Sequence, residues 1–133
     1  MTDANQAFAR RWMHEIWNER REETIDELMA PEAIGHVESG TVIGSAPFKE
    51  YRAALLNAFP DLRISVEDAI SNEDSVVVRW RVTATHLGDG LGMAATGRPV
   101  SFGGMTWFRV SNGRAVEGWD AWNMGGLLES LRQ

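Results

Sequence analysis

Apolar residues recur at helical spacing in the first half of the chain and alternate with polar ones in the second. Over residues 5–18, Phe8, Trp12 and Ile16 form one i, i+4 row with Met13 and Trp17 beside it. Arg10, Arg11, Glu15 and Glu19 take the other positions, which predicts an amphipathic helix. Thr24 to Met29 repeats the pattern briefly. Thr24 reads as its N-cap, Glu27 three residues on completes a capping box, and Pro31 stops it. From 33 to 43, Ile34, Val37, Val42 and Ile43 are interrupted by Gly35, Gly40 and Gly44, which predicts short bent extended segments around a turn. Ser45 then caps a third helix. Phe48, Ala54 or Leu55, and Phe59 keep its spacing, Pro47 sits near its start, and Pro60 ends it.

Beyond Pro60 the period changes to two. Leu62, Ile64 and Val66 alternate with Arg63, Ser65 and Glu67, and the run Val76 to Thr83 is β-branched and aromatic. Turn signals at Asn72-Glu73-Asp74, in the glycine-rich stretch from Gly88 to Gly97 and at Asn112-Gly113 divide this half into strands at about 61–71, 75–87, 99–111 and 114–124. Strands this long twist and curl. Three helices followed by such a sheet predict an α+β fold in which the helices close a curved antiparallel or mixed sheet over an apolar pocket.

The chain of 133 residues reads as a single domain spanning 1–133 and is long enough to bury a substantial core. Its net charge of −6 disfavours nucleic acid and anionic lipid as partners. Without cysteine there is no disulfide, thiolate nucleophile or zinc–thiolate site. His14, His36 and His86 lack the spacing of an adjacent ligand pair, so no metal is expected. No apolar run approaches the roughly 20 residues of a membrane span, and the N-terminus has no basic-then-apolar leader, which points to the cytoplasm. Six tryptophans and five phenylalanines suffice to fill a core and line a cavity.

Alternation puts Val76, Val78, Trp80, Val82, Ala84 and His86 on the inner face of one strand, with His86 at its end near the mouth of the pocket. Counting back from a two-residue Asn112-Gly113 turn pairs Arg109 with Val116, Trp107 with Gly118 and Met105 with Asp120; a bulge at Gly103-Gly104 would flip what precedes it. Asp120, between Trp119 and Trp122, is the prime candidate for chemistry. An acid among indoles must be paired, hydrogen-bonded or used, and burial raises its pKa toward neutrality, where it can take and return protons. Read instead as outward-facing, it would pair with Arg79 or Arg81. His36, beside Ile34 and Glu38 on a bent strand, and His86 are further candidates, each with a purely structural alternative. His14 reads as solvated. Phosphate-loop and GxSxG motifs are absent, and no helix follows the Gly88 to Gly92 run.

The ordered segments Phe59-Pro60-Asp61-Leu62, Val78-Arg79-Trp80, Ala84-Thr85-His86-Leu87-Gly88, Thr96-Gly97-Arg98-Pro99-Val100, Phe108-Arg109 and Val116 to Asn123 resemble the SnoaL-like polyketide cyclases of the NTF2-like superfamily. The resemblance covers about residues 8–128. It implies a cone-shaped fold, homodimers or homotetramers through the outer sheet face, no cofactor, and ring closure by intramolecular aldol condensation. By motif position it makes Asp120 the acid/base and sets His36 and His86 at or near the pocket. The expected pairing of Met105 with Asp120 departs from such cyclases, which carry polar groups around their aspartate. The expected function is therefore a cofactor-independent acid/base enzyme acting on an apolar carbonyl-bearing small molecule, with Trp12, Tyr51, Trp80, Met105, Trp107 and Trp122 walling the pocket. The alternatives are a non-catalytic ligand-binding module, or an isomerase, epoxide hydrolase or hydroxylase on the same scaffold. Arg79-Trp80-Arg81 offers no carboxylate for epoxide hydrolysis, and Tyr51 is the only phenol available to an isomerase.

Overall fold

In the computed structural model, which describes residues 2–133, the alternating half of the chain forms β3 (Arg63–Ser71), β4 (Ser75–Thr85), β5 (Pro99–Ser111) and β6 (Arg114–Trp122). The glycine-broken segment forms β1 (Met29–Val37) and β2 (Gly40–Ile43). They join in one curved sheet of order β2-β1-β6-β5-β4-β3, in which every pair is antiparallel except β1 with β6. Helices α1 (Thr2–Trp12), α2 (Glu22–Leu28) and α3 (Ser45–Ala58) pack on the concave face, and a further helix, α4 (Met124–Leu131), follows β6. The expected α+β architecture is present with one helix more than the three expected. Gly125 and Gly126 weaken the helical signal at α4, whose start is held instead by Asn123, whose side chain accepts from the Gly126 N–H.

The first helix ends earlier than its periodicity predicts. After Trp12 the chain runs as a π-helix over Met13–Asn18. The extra residue per turn brings Trp17 round toward the same side as Trp12 and Met13, and all three reach the cavity. At the end of this segment the Ile16 carbonyl, past the last helical donor, accepts from Nε of the buried Arg52 at 3.0 Å. Asn18 closes the segment against β3: its amide accepts from the Ile64 N–H and donates to the Ile64 carbonyl, each at 2.8 Å, standing in for a strand partner.

Two predicted caps are replaced. α2 begins at Glu22, before Thr24, and the Thr24 hydroxyl donates to Glu15 at 2.7 Å instead of capping a helix. Gly44, with a φ of 83°, occupies the N-cap position before Ser45. The core lies between α1, α3 and the inner residues of β4, where Val76, Val78, Trp80, Val82 and Ala84, with His86 just past the strand's end, are all buried as the alternation predicts.

Candidate active site

The register around Asp120 differs from the count based on the turn alone. Ser111 pairs with Arg114 and Val110 with Ala115, but Arg109 then pairs with Glu117. Val116 is an extra residue in β6, a bulge that shifts every later pair by one. No bulge interrupts Gly103-Gly104, since β5 runs unbroken against β4 from Pro99 to Arg109. Asp120 consequently pairs with Thr106, and Met105 with Ala121. The apolar neighbour that set this chain apart from the cyclases is thereby replaced by a hydroxyl.

The same register corrects two wall residues. Thr106 and Phe108 face inward with Trp80 and Val78, so Met105 and Trp107 point outward and are 50% and 44% exposed. Trp107 lies against Trp119 on the outer face, with ring centroids 5.1 Å apart. The expected wall residues Trp12, Tyr51, Trp80 and Trp122 do line the cavity, joined by Phe48, Phe102 and Phe108. Phe102 stacks on Trp122 at 4.9 Å, and Trp12 meets Phe108 edge-on at 5.2 Å. The cavity has a volume of about 90 Å³, room for several waters or an apolar molecule in their place. No Lys or Arg lines it among the described residues.

Two acids border the cavity, Glu117, which is held by His36, and Asp120. Asp120 Oδ1 accepts from the Thr106 hydroxyl at 2.6 Å, and that hydroxyl accepts from Trp80 Nε1 at 2.9 Å. Burial pushes the Asp120 carboxyl up to about 6, opposed by the Thr106 hydrogen bond and reinforced by the charge of Glu38. Tyr51, projecting from α3, is raised well above the usual phenol range, first by burial and then by the Asp120 charge, so its hydroxyl stays protonated.

Neither histidine joins Asp120. His86 is fully buried and does not border the cavity. Its ring meets Phe59 at 5.8 Å, and its Nδ1 accepts from the Thr96 N–H at 3.2 Å. Backbone bonds from His86 N to Arg98 O and from Gly97 N to His86 O tie the same two segments together. The Thr85-His86 and Thr96-Gly97-Arg98 motifs thus hold the connection between β4 and β5. His36 borders the cavity, but its ring stacks on Trp119 at 5.3 Å and its Nε2 lies 2.7 Å from Glu117, both on the outer side of the sheet. His14 is exposed beside Glu19 at 3.3 Å. Arg79 and Arg81 face outward to Glu67 rather than to Asp120.

Thr106 is the site residue that the sequence reading missed. The signal is a polar residue on the period-2 row of Phe102 and Phe108, an otherwise apolar face. Asp61 serves structure: its carboxylate accepts from both the N–H and the hydroxyl of Thr85 at 2.7 Å, tethering the end of β4. Among the described residues no three His, Asp or Glu side chains converge as a metal set, and no helix is long and apolar enough to cross a membrane.

A model of the SnoaL-like polyketide cyclase family matches residues 7–131. Among solved structures, AclR from Streptomyces galilaeus, a hydroxylase candidate, is 31% identical over 99% of this chain and 83% of its own, with a TM-score of 0.87. A polyketide-cyclase candidate from Acidithiobacillus ferrooxidans is 27% identical, covering 98% and 95% of the two chains at a TM-score of 0.82. A SnoaL-like candidate from Jannaschia sp. CCS1 shares the fold at a TM-score of 0.91 and 24% identity, over 98% of this chain and 92% of that one. Among curated proteins none matches this chain.

Proposed function

We infer that this chain, which belongs to the SnoaL-like polyketide cyclase family, is an acid/base enzyme that moves protons on a neutral, apolar, carbonyl-bearing small molecule, with Asp120 as the acid/base. One observation carries the reading: Asp120, on the wall of an aromatic cavity with Trp80, Trp122 and Tyr51, has its carboxyl pushed up to about 6 by burial. A group so placed is ionised enough to act as a base and close enough to neutral pH to return the proton. The absence of Lys and Arg from the wall among the described residues favours a neutral ligand over an anionic one.

In an intramolecular aldol step, the Asp120 carboxylate takes an α-proton and the resulting enolate carbon forms a bond to a second carbonyl of the same molecule. The proton then passes from Asp120 to the new alkoxide. Protons balance, and no co-reactant is consumed. Tyr51, whose phenol stays neutral, donates a hydrogen bond to the oxygen on which charge develops.

The test needs no natural substrate. Wild-type protein should accelerate exchange of the α-protons of 2-tetralone in D2O, followed by proton NMR. The rate should fall as pH drops through about 6, because the protonated acid is no base. Tyr51→Phe should slow the exchange about tenfold, the worth of one neutral hydrogen bond. An unchanged rate removes Tyr51 from the mechanism.

The likeness to AclR supports a second reading, hydroxylation by dioxygen, in which one oxygen atom enters the bound molecule and the other leaves as water with two electrons from an added reductant or from the molecule itself. Oxygen consumption that tracks turnover would decide for it.

The outer sheet face supports a second copy of the chain as partner. Met105, Trp107 and Ile43 are exposed there, with Trp119 and His36 stacked beside Trp107. Light scattering should give a dimer or tetramer mass for the wild type and a monomer mass for Met105→Glu combined with Trp107→Glu. Identical masses would exclude this face as the interface.

A further inference from the structure

The hydrogen bonds around Asp120 have a direction. An indole N–H donates and never accepts, so Trp80 Nε1 fixes the Thr106 oxygen as its acceptor at 2.9 Å. The one proton of the Thr106 hydroxyl is then left for Asp120 Oδ1, 2.6 Å away. Asp120 Oδ1 is therefore an acceptor whether the carboxyl is ionised or neutral. Among the described residues no side chain donates to Oδ2, and Asp120 borders the cavity.

The arrangement is held firmly. Thr106 and Asp120 are direct cross-strand partners in the β5–β6 ladder, and Thr106 and Trp80 are 6% and 5% exposed. Thr106 is β-branched, so its side-chain torsion is stiff. Gly104, the residue opposite Trp80 in β5, leaves the space the indole fills: a Cβ there would lie 2.7 Å from Trp80 Cζ2 and 2.7 Å from Trp122 Cβ. The glycine, the tryptophan, the threonine and the aspartate thus form one device spread over three strands.

We propose that Thr106, oriented by Trp80, is the positioning residue of this site: it reserves Oδ1 of Asp120 as an acceptor and so makes Oδ2 the oxygen that takes and returns the substrate proton. The assignment rests on the reading of Asp120 as the acid/base, but its geometry can be tested apart from that reading. A carboxyl with one oxygen already committed presents a single proton position to the ligand. A freely hydrated carboxyl would present two oxygens in several orientations, and the reacting geometry would be occupied only part of the time.

Beside burial and Thr106, the charge of Glu38, beyond the end of β1, acts on this carboxyl, while Tyr51 from α3 and the His36–Glu117 pair from β1 and β6 also border the cavity. The variants below leave all of them in place.

Carboxyl-carbon NMR titration of Asp120 in the intact protein is the experiment. Thr106→Val keeps the shape and removes the hydroxyl, which should raise the Asp120 pKa from about 6 to about 7 or above. The pH profile of 2-tetralone exchange should move with it. Thr106→Ser restores the hydroxyl and should return both to wild-type values. Trp80→Phe removes the orienting donor while keeping an aromatic ring, and should raise the pKa by less. The relay is overturned if Thr106→Val titrates as wild type, or if Thr106→Ser is shifted as far as Thr106→Val. A Trp80→Phe protein with unchanged titration overturns it even where Thr106→Val does not fold. Exchange that survives in Asp120→Asn would instead remove the acid/base reading and leave the titration result standing.

Discussion

Asp120→Asn should lower the exchange rate by about 10²–10⁴-fold, the usual contribution of a positioned general base, while leaving the fold intact. Asparagine keeps an oxygen to accept from Thr106, so the Trp80–Thr106 chain survives and only the proton-carrying oxygen is lost. The stability effect has a definite sign. Burial holds the folded-state pKa of Asp120 at about 6, above its ordinary value of 3.8, so the native state binds the proton more tightly than the unfolded chain does. Stability from this group is present in full below pH ~4 and is lost as pH rises toward 6, because ionisation then has to occur in an apolar wall. Relative to Asp120→Asn, the wild type should therefore lose about 1–3 kcal/mol on going from pH 4 to pH 8. Thermal melts of the two proteins at the two pH values measure it directly. Retention of more than about a tenth of the exchange activity would sink the catalytic role and favour a cavity that binds without reacting. A wild-type stability difference that does not change with pH would show that the carboxyl is solvated.

The second large effect is structural and lies away from the cavity. The chain between β4 and β5 crosses α3 so closely that glycine is required at two points. A Cβ at Gly88 would fall 1.9 Å from the Asn57 carbonyl oxygen, and one at Gly90 would fall 2.0 Å from that of Ala54. Both obstacles are helix backbone, which cannot rotate away as a side chain could. Leu87 and Gly88 also donate their N–H groups to the Ala58 carbonyl at the end of α3. Gly88→Ala should force the strap off the helix and break these bonds. The expected cost is about 3 kcal/mol, or a fall in Tm of roughly 10 °C. Gly92→Ala makes a useful companion: nothing lies within 4 Å of its added Cβ, and its cost comes only from a φ of 79°. If Gly88→Ala melts no lower than Gly92→Ala, the close crossing does not bear on stability.

The strap also explains a motif whose residues look like chemistry in the sequence. Thr85 bonds to Asp61, His86 bonds to Thr96 and Arg98, and the Arg98 guanidinium donates to the Ser130 carbonyl of α4. Histidine at the inner end of an apolar strand was readable as inward-facing, and it does face inward. Whether it meets the cavity or the packed base of the cone depends on where α3 and the strap lie, which no local pattern encodes.

Local rules were sufficient wherever a residue's surroundings are set by its own strand or helix. The alternation of β4 identified its buried row from Val76 to His86, and the glycines, prolines and Asn112-Gly113 marked the breaks between elements. The composition around Asp120 marked an acid that burial would perturb. Those properties follow from the period of the backbone and the cost of desolvating charge, which the chain carries with it. The partner of Asp120 did not follow, because one bulged residue, Val116, changes the pairing along the rest of β6, and a bulge is decided by how the sheet curves under its helices. That one-residue shift replaced Met105 with Thr106 and sent Trp107 to the outer face. The π-turn after Trp12 and the parallel pairing of β1 with β6 are of the same kind. Sequence determined that this protein would enclose an aromatic cavity with one perturbed carboxyl; the tertiary structure decided which side chains reach that carboxyl, since register between strands is a property of the assembled sheet and not of any strand alone.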